Sequence, residues 1–315
     1  MDALLVLWWK AAVVLAAGAA VSLVAWRASA ATRHLIWTAA LAGALLLPLA
    51  SAVLPAVPIA ALPALPAVVN SVHQPALAPV QVAAPSPAPG ARLKTPPVNS
   101  VHFADAPVNA VHFALDWRRA APLLWLAVAL ALLLRIAVGS LQLRSLARRA
   151  RAVTDDASQR LLRETTAYLG LRRNLKFLES GDTEVPLTWG SLHPVVVLPL
   201  AASRWPDAQK RAVLVHELAH VQRYDAATQL VARVACAVHW LNPLAWAAAA
   251  AMRAERERAC DDFVLGAGAR PTDYATNLLD VARAVLRDDA PAPALAMARR
   301  SQLEGRLLAV LDPRR

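Results

Sequence analysis

The chain has 315 residues, of which 57% are hydrophobic and 17% charged, with a formal net charge of +11. The apolar excess points to a membrane protein. The positive charge does not point to direct nucleic-acid binding: much of it is arginine beside apolar stretches, where anionic lipid head groups are the simpler partner, and no zinc-knuckle, RRM or helix-turn-helix signature is present.

Three apolar stretches are long enough to cross a bilayer. They are about Leu4–Trp26, Leu35–Val57 and Ala120–Leu141, the last with Arg135 near one end. A cleavable leader ending at Ala28-Ser29-Ala30 is disfavoured, because Asp2 and no basic residue precede the first apolar run and a second run follows at once. Arg27 and Arg33 lie between the first two stretches, and Arg144, Arg148, Arg149 and Arg151 follow the third. Basic residues mark the cytoplasmic side, so the N-terminus and the connection at 58–118 are expected outside and everything after about 143 inside. The expected location is the inner, cytoplasmic membrane, with multiple passes.

Residues 58–118 are rich in Ala and Pro, a composition that favours extended backbone over helix or sheet. They hold the imperfect repeats Val69-Asn70-Ser71-Val72-His73, Val98-Asn99-Ser100-Val101-His102 and Val108-Asn109-Ala110-Val111-His112. Repeat drift in a tether explains them more simply than metal binding or pH sensing.

A water-facing domain is expected from about Val153. Ala157–Leu169 reads as an amphipathic helix closed by Gly170. Asn174–Glu179 reads as a strand, and Glu184–Trp189 with Pro194–Leu198 as a hairpin around Gly190-Ser191. Glu184–Trp189 is the candidate outer strand for pairing with an extended substrate backbone. Trp205-Pro206-Asp207 then starts a helix, with a first-turn proline and an acid that complements the dipole.

That helix carries His216-Glu217-Leu218-Ala219-His220. Residues four apart share a helical face, so both imidazoles can reach one Zn²⁺, with Glu217 beside them to activate water. A catalytic zinc usually takes three protein ligands. Arg223 and Ala226 stand where an H-E-x-x-H-x-x-G-x-x-H pattern needs Gly and His, so the third ligand must come from a later helix. Glu255 and Glu257 are two apart and point to nearly opposite sides. Asp261 shares the face of Glu257, where it can hydrogen-bond a ligating histidine. The expected metal ligands are therefore His216, His220 and Glu257, one zinc per chain, with Glu217 as general base and Glu255 on the solvent side pairing with neighbouring arginines. Tyr224 and His239 are candidate oxyanion donors or substrate contacts.

Val234–Met252 is apolar enough to be mistaken for a fourth span. A single crossing would put His220 and Glu257 on opposite sides of the membrane, so the segment is expected to turn at Asn242-Pro243 and return, with His239 read as a packed histidine or one behind the ligands and not as a ligand. Cys236 and Cys260 are expected reduced and buried, because disulfides are rare inside the cell.

The chain resembles the antirepressor membrane metallopeptidases of the beta-lactam sensor-transducer (BlaR/MecR) family. The likeness runs through Arg33-His34-Leu35-Ile36-Trp37, Trp189-Gly190, Pro194-Val195-Val196-Val197-Leu198-Pro199, the His216–His220 motif with Arg223 and Asp225, His239-Trp240-Leu241-Asn242-Pro243-Leu244 and Glu257-Arg258-Ala259-Cys260-Asp261. The resemblance implies a gluzincin-like fold, and with the three apolar stretches the expected architecture is an α-helical membrane protein with three transmembrane helices plus a cytoplasmic α+β zincin domain; the drug-sensing members of the family have a fourth span. The resemblance groups Asp225 with Asp261 behind the ligands. It implies a signal-transducing protease that cleaves a cytoplasmic winged-helix repressor, and a homodimer is compatible with it. The expected division is 1–57 for two spans, 58–118 outside, 119–143 for the third span and 144–315 for the peptidase.

No S-x-x-K acylation motif occurs, and the chain is expected to work without the penicillin-binding sensor domain that follows the peptidase in the drug-sensing members, so covalent beta-lactam sensing is not expected. The competing readings are a housekeeping quality-control metallopeptidase, a catalytically silent signalling scaffold and an intramembrane protease. The charges at Asp207, Lys210, Arg211, Arg223 and Asp225 argue against the last.

Overall fold

The computed structural model describes residues 2–53, 117–287 and 303–312. The three Val-Asn-Ser/Ala-Val-His repeats fall outside the described residues.

Three helices begin the fold: α1 (Asp2–Val24), α2 (Ala30–Val53) and α3 (Trp117–Arg149). Each is long and apolar enough to cross a membrane, over Leu5–Arg27, Ala30–Pro48 and Ala120–Arg149. A short 3-10 turn, Ala25–Arg27, joins α1 to α2. Arg33 ties this turn down by donating to the carbonyls of Trp26 and Ala28. A side chain at Gly18 would collide with Ala40, so small residues let the two helices pack closely. Helix α3 continues past its apolar stretch to Arg149. Nothing between Leu141 and Arg149 breaks a helix, so the end of the apolar run is a change of solvent and not a helix stop.

The small sheet has four strands: β1 (Arg151–Ala152), β2 (Lys176–Ser180), β3 (Leu187–Trp189) and β4 (Val195–Pro199), in the order β1-β2-β4-β3. The Val195-Val196-Val197-Leu198 run is buried throughout, as expected of a central strand. β2 and β4 pair in parallel, while β3 and β4 form the expected antiparallel hairpin, with Leu187 opposite Val197 and Trp189 opposite Val195. Gly190 takes a φ of 89° in the turn, a conformation that suits glycine. β3 is shorter than the 184–189 read from sequence. It lies at the edge, with no partner on its outer side among the described residues. Helix α4 (Asp156–Tyr168) is capped by Asp155, whose carboxylate accepts from the Ser158 amide at 2.7 Å.

Helix α5 (Asp207–Gln222) runs through the middle of the domain. Val213, Leu214, Leu218 and Val221 pack with Val196, Leu198 and Phe177 of the sheet. Ala212 and Val215 face Val264, Tyr274, Ala275 and Leu278. Burial on two sides fixes the helix rotation and so fixes the direction of His216 and His220.

The Val234–Met252 stretch turns back on itself as expected. Helix α6 (Asp225–Val238) leads to a turn, and α7 (Pro243–Gly266) starts with the Asn242 side chain accepting from the Leu244 amide at 3.0 Å. The alanine-rich faces of α6 and α7 pack against Ala11, Leu15, Ala40, Leu41 and Ala44 of α1 and α2. Helix α8 (Pro271–Arg287) and a short helix α9 (303–310) complete the described residues. Cys236 and Cys260 are free and buried.

Candidate metal centre

His216 and His220 sit one turn apart on α5, with their rings edge to face and centroids 4.9 Å apart. Glu257, from the middle of α7, meets them: its Oε2 is 3.5 Å from His216 Nε2 and its Oε1 is 4.0 Å from His220 Nε2. One donor atom from each of the three falls within 4.8 Å of the others. Tetrahedral zinc ligands at about 2.0–2.1 Å stand roughly 3.3 Å apart, so the three need only a small contraction to hold one ion.

The opposite edge of each imidazole is occupied. His220 Nδ1 donates to Asp225 Oδ2 at 2.8 Å. Tyr274 of α8 donates to Asp261 Oδ1 at 2.7 Å and accepts from His216 Nδ1 at 3.0 Å, with Asp261 itself 3.4 Å from the same nitrogen. With Nδ1 bound to carboxylate-backed partners, each Nε2 is left as the free nitrogen, the arrangement that orients a ligating histidine. Asp261 is held in turn by Arg306 of α9 through two hydrogen bonds, of 2.9 and 2.6 Å. Arg306 also reaches Glu257 at 3.4 Å, and Arg256 donates to Glu257 Oε1 at 2.7 and 3.1 Å.

Electrostatics also favour a cation here. Burial alone would lower the His216 pKa, but hydrogen bonds with Asp261 and Glu257 outweigh it and raise it to about 9. Burial works against the ionised form of Glu257, yet its hydrogen bond with His216 and the charges around it hold its pKa well below the ordinary carboxylate range. An ionised Glu257 places one anionic oxygen beside the two imidazole nitrogens. The donor set fits zinc: two imidazole nitrogens and one carboxylate oxygen.

Glu217 is half-buried and lines a cleft of about 1390 Å³ together with His216, His220, Glu257 and the β3 edge. Asp225 reaches His220 because Tyr224, between α5 and α6, takes the left-handed conformation at φ 57°. That turn is braced by Arg173, whose guanidinium lies 4.2 Å from the Tyr224 ring centre and donates to the Val221 carbonyl. Tyr224 is half exposed and lines the cleft.

Two expectations need correction. His239 is packed, as one of its two readings had it, and not an oxyanion donor: it lies outside the cleft lining, buried, with Nε2 3.0 Å from the Ala44 carbonyl of α2. It therefore joins the α6–α7 turn to a candidate span instead of meeting substrate. Glu255 pairs with arginine as expected but is not on the solvent side. It is 8% exposed and bridges Arg33 of α2 at 2.8 Å and Arg258 at 3.0 Å, because α2 covers the face of α7 opposite Glu257.

Residues that sequence reasoning missed are Tyr274, Arg306, Arg256 and His34. His34 of α2 is buried, with Nε2 3.3 Å from Thr228 Oγ1 and 3.9 Å from Asp225 Oδ1. Cys260 lies behind His220, with Sγ 3.2 Å from Nδ1 and 3.6 Å from Asp225 Oδ2. Burial and the nearby Asp225 and Glu257 charges push its thiol pKa well up, which disfavours the thiolate that metal ligation requires.

The family model described as BlaR1 peptidase M56 matches residues 27–310. The Regulatory protein BlaR1 of Bacillus licheniformis is 34% identical over 80 residues, which are 25% of this chain and 13% of that protein. The likeness to this curated relative thus spans a small fraction of its length.

Proposed function

The chain belongs to the BlaR1 peptidase M56 family, and from that membership we propose that it is a zinc-dependent, membrane-anchored endopeptidase with a gluzincin-like catalytic domain. The observation that carries this reading is the convergence of His216, His220 and Glu257 within 4.8 Å, beside Glu217 in an open cleft. His216, His220 and Glu257 hold one zinc per chain, and Asp225 and Asp261 orient the two histidines.

Zinc held there supplies a Lewis acid that lowers the pKa of water toward about 7 and polarises a carbonyl. The chain's own residues do the rest. The outer edge of β3 pairs with the extended backbone of the substrate and lays the scissile bond along α5. Glu217 takes the proton of the attacking water and passes it to the leaving amine, as a general base and then a general acid. Tyr224, at the cleft wall, contacts the substrate.

The wider role is part of the same proposal. Residues 1–57 supply two spans, 58–118 lie outside, 119–143 form the third span and 144–315 form a cytoplasmic peptidase domain in the inner membrane. The substrate is a cytoplasmic transcriptional repressor, cut in response to an external signal. The experiment compares soluble proteins in wild-type cells and in cells carrying Glu217→Gln. A repressor fragment present only in wild type supports the reading. An identical fragment pattern in both strains refutes it.

A further inference from the structure

The cleft that holds Glu217 is strongly unbalanced in charge. Arg144 and Arg148 line it from α3, Lys176 from β2, Arg233 from α6, and Arg256 and Arg306 from the metal side. Only three carboxylates line it: Glu217, Asp225 and Glu257. Of these, Asp225 is occupied by His220 and Glu257 by Arg256 and Arg306. Arg256 and Arg306 are thus already paired. Among the described residues no ion pair is formed by Arg144, Arg148, Lys176 or Arg233.

Arg233 shows the imbalance most clearly. Burial works against its charge, and Arg256 and Arg253 nearby add repulsion. Arg144, Arg148, Lys176 and Arg233 are all solvent-exposed, and a cleft lined by one sign of charge raises the local concentration of oppositely charged ligands. The four cations come from three separate elements and share one cleft with the β3 edge and Glu217. Arg144 and Arg148 are four residues apart on one face of α3. Arg144 and Arg148 lie at the end of the candidate span Ala120–Arg149, within reach of lipid head groups, whereas Lys176 and Arg233 stand outside the candidate spans.

We propose that this cleft selects protein segments with acidic side chains flanking the scissile bond, and that Arg144, Arg148, Lys176 and Arg233 determine that specificity. The inference rests on the peptidase reading above and adds a substrate class to it. β3 binds backbone without regard to sequence, while the cations read the side chains of the paired strand.

The test uses the full chain, loaded with zinc, in neutral detergent and in nanodiscs of anionic phosphatidylglycerol. Two short peptides are compared, identical except that Glu or Lys flanks the cut bond. Cleavage is read as kcat/KM in the wild type, and binding by fluorescence anisotropy with Glu217→Gln. The expected result is a preference of about 10-fold or more for the Glu peptide in both assays, decreasing with salt as exposed charges are screened. Arg233→Glu and Lys176→Glu each reduce or reverse the preference. Arg149→Glu, a charge reversal at the same end of α3 but outside the cleft lining, leaves it unchanged. Equal binding of the two peptides overturns the proposal, as does a preference that both cleft variants retain. A preference that vanishes in anionic nanodiscs assigns the cations to lipid head groups and also overturns it. Selective binding without cleavage in the wild type would uphold the charge selection and refute the peptidase reading.

Discussion

Tyr274 Oη stands 3.0 Å from His216 Nδ1 and donates a 2.7 Å hydrogen bond to Asp261. The phenol thus connects α8 to a candidate ligand on α5 and a carboxylate on α7, and Arg306 of α9 holds that carboxylate from behind. The orientation of His216 on α5 thus depends on groups from three later helices, α7, α8 and α9.

Tyr274→Phe removes the bridging hydroxyl and keeps the ring that packs against Val215 and Val264. The expected outcome is a loss of about 10-fold in zinc affinity, in the range typical of groups that orient a metal-bound histidine. Competition with a chelator measures it. Unchanged affinity would mean that Asp261, 3.4 Å from the same nitrogen, orients His216 alone.

Glu255 and Glu257 have separate duties, and their variants separate accordingly. Glu257→Ala abolishes zinc binding. Glu255→Ala keeps the zinc but lowers stability by roughly 3 kcal/mol, because it leaves Arg33 without its partner in a mostly buried setting. Thermal unfolding in detergent, read beside metal content, distinguishes the two. The double change Arg33→Met with Glu255→Leu recovers much of the loss, since replacing both charges leaves neither unpaired. Equal zinc loss in the two single variants would show that the wrong carboxylate has been assigned to the metal.

Gly190→Ala disturbs the β3–β4 turn, where φ is 89° and a Cβ would strike the His193 carbonyl. The strain is about 1–3 kcal/mol and falls on the edge strand instead of the metal ligands. Peptide KM rises while zinc content stays at one per chain. Loss of zinc with unchanged KM would detach β3 from substrate binding.

The three candidate spans predict a topology that labelling can check. A cysteine placed at residue 90 reacts with a membrane-impermeant thiol reagent in intact cells. One placed at Arg160, exposed on α4, reacts only after lysis. Labelling of both in intact cells would put the metal site outside and end the assignment of a cytoplasmic substrate.

Much of the centre is legible in the sequence because helical periodicity is local. The four-residue spacing of His216 and His220 and the shared face of Glu257 and Asp261 follow from α-helix geometry alone. The turn at Asn242-Pro243 is marked by its own residues. Tyr274, Arg306 and His34 carry no such mark: each reaches the site through tertiary packing from α8, α9 and α2, and no spacing within a helix encodes that. Glu255 illustrates the limit. Periodicity placed it opposite Glu257, but only the packed structure reveals that α2 covers that face and turns an expected surface pair into a buried one. The sheet order is also not readable locally, because β2 pairs directly with β4, while β3, which lies between them in sequence, takes the outer edge.

The most direct test of the account measures zinc and proteolysis together in the purified full chain. The account predicts one zinc per chain in the wild type and in Glu217→Gln, and loss of zinc in His216→Ala and His220→Ala. It predicts cleavage of a protein substrate by the wild type only. Full proteolysis by Glu217→Gln, or by either histidine variant without bound zinc, would contradict it.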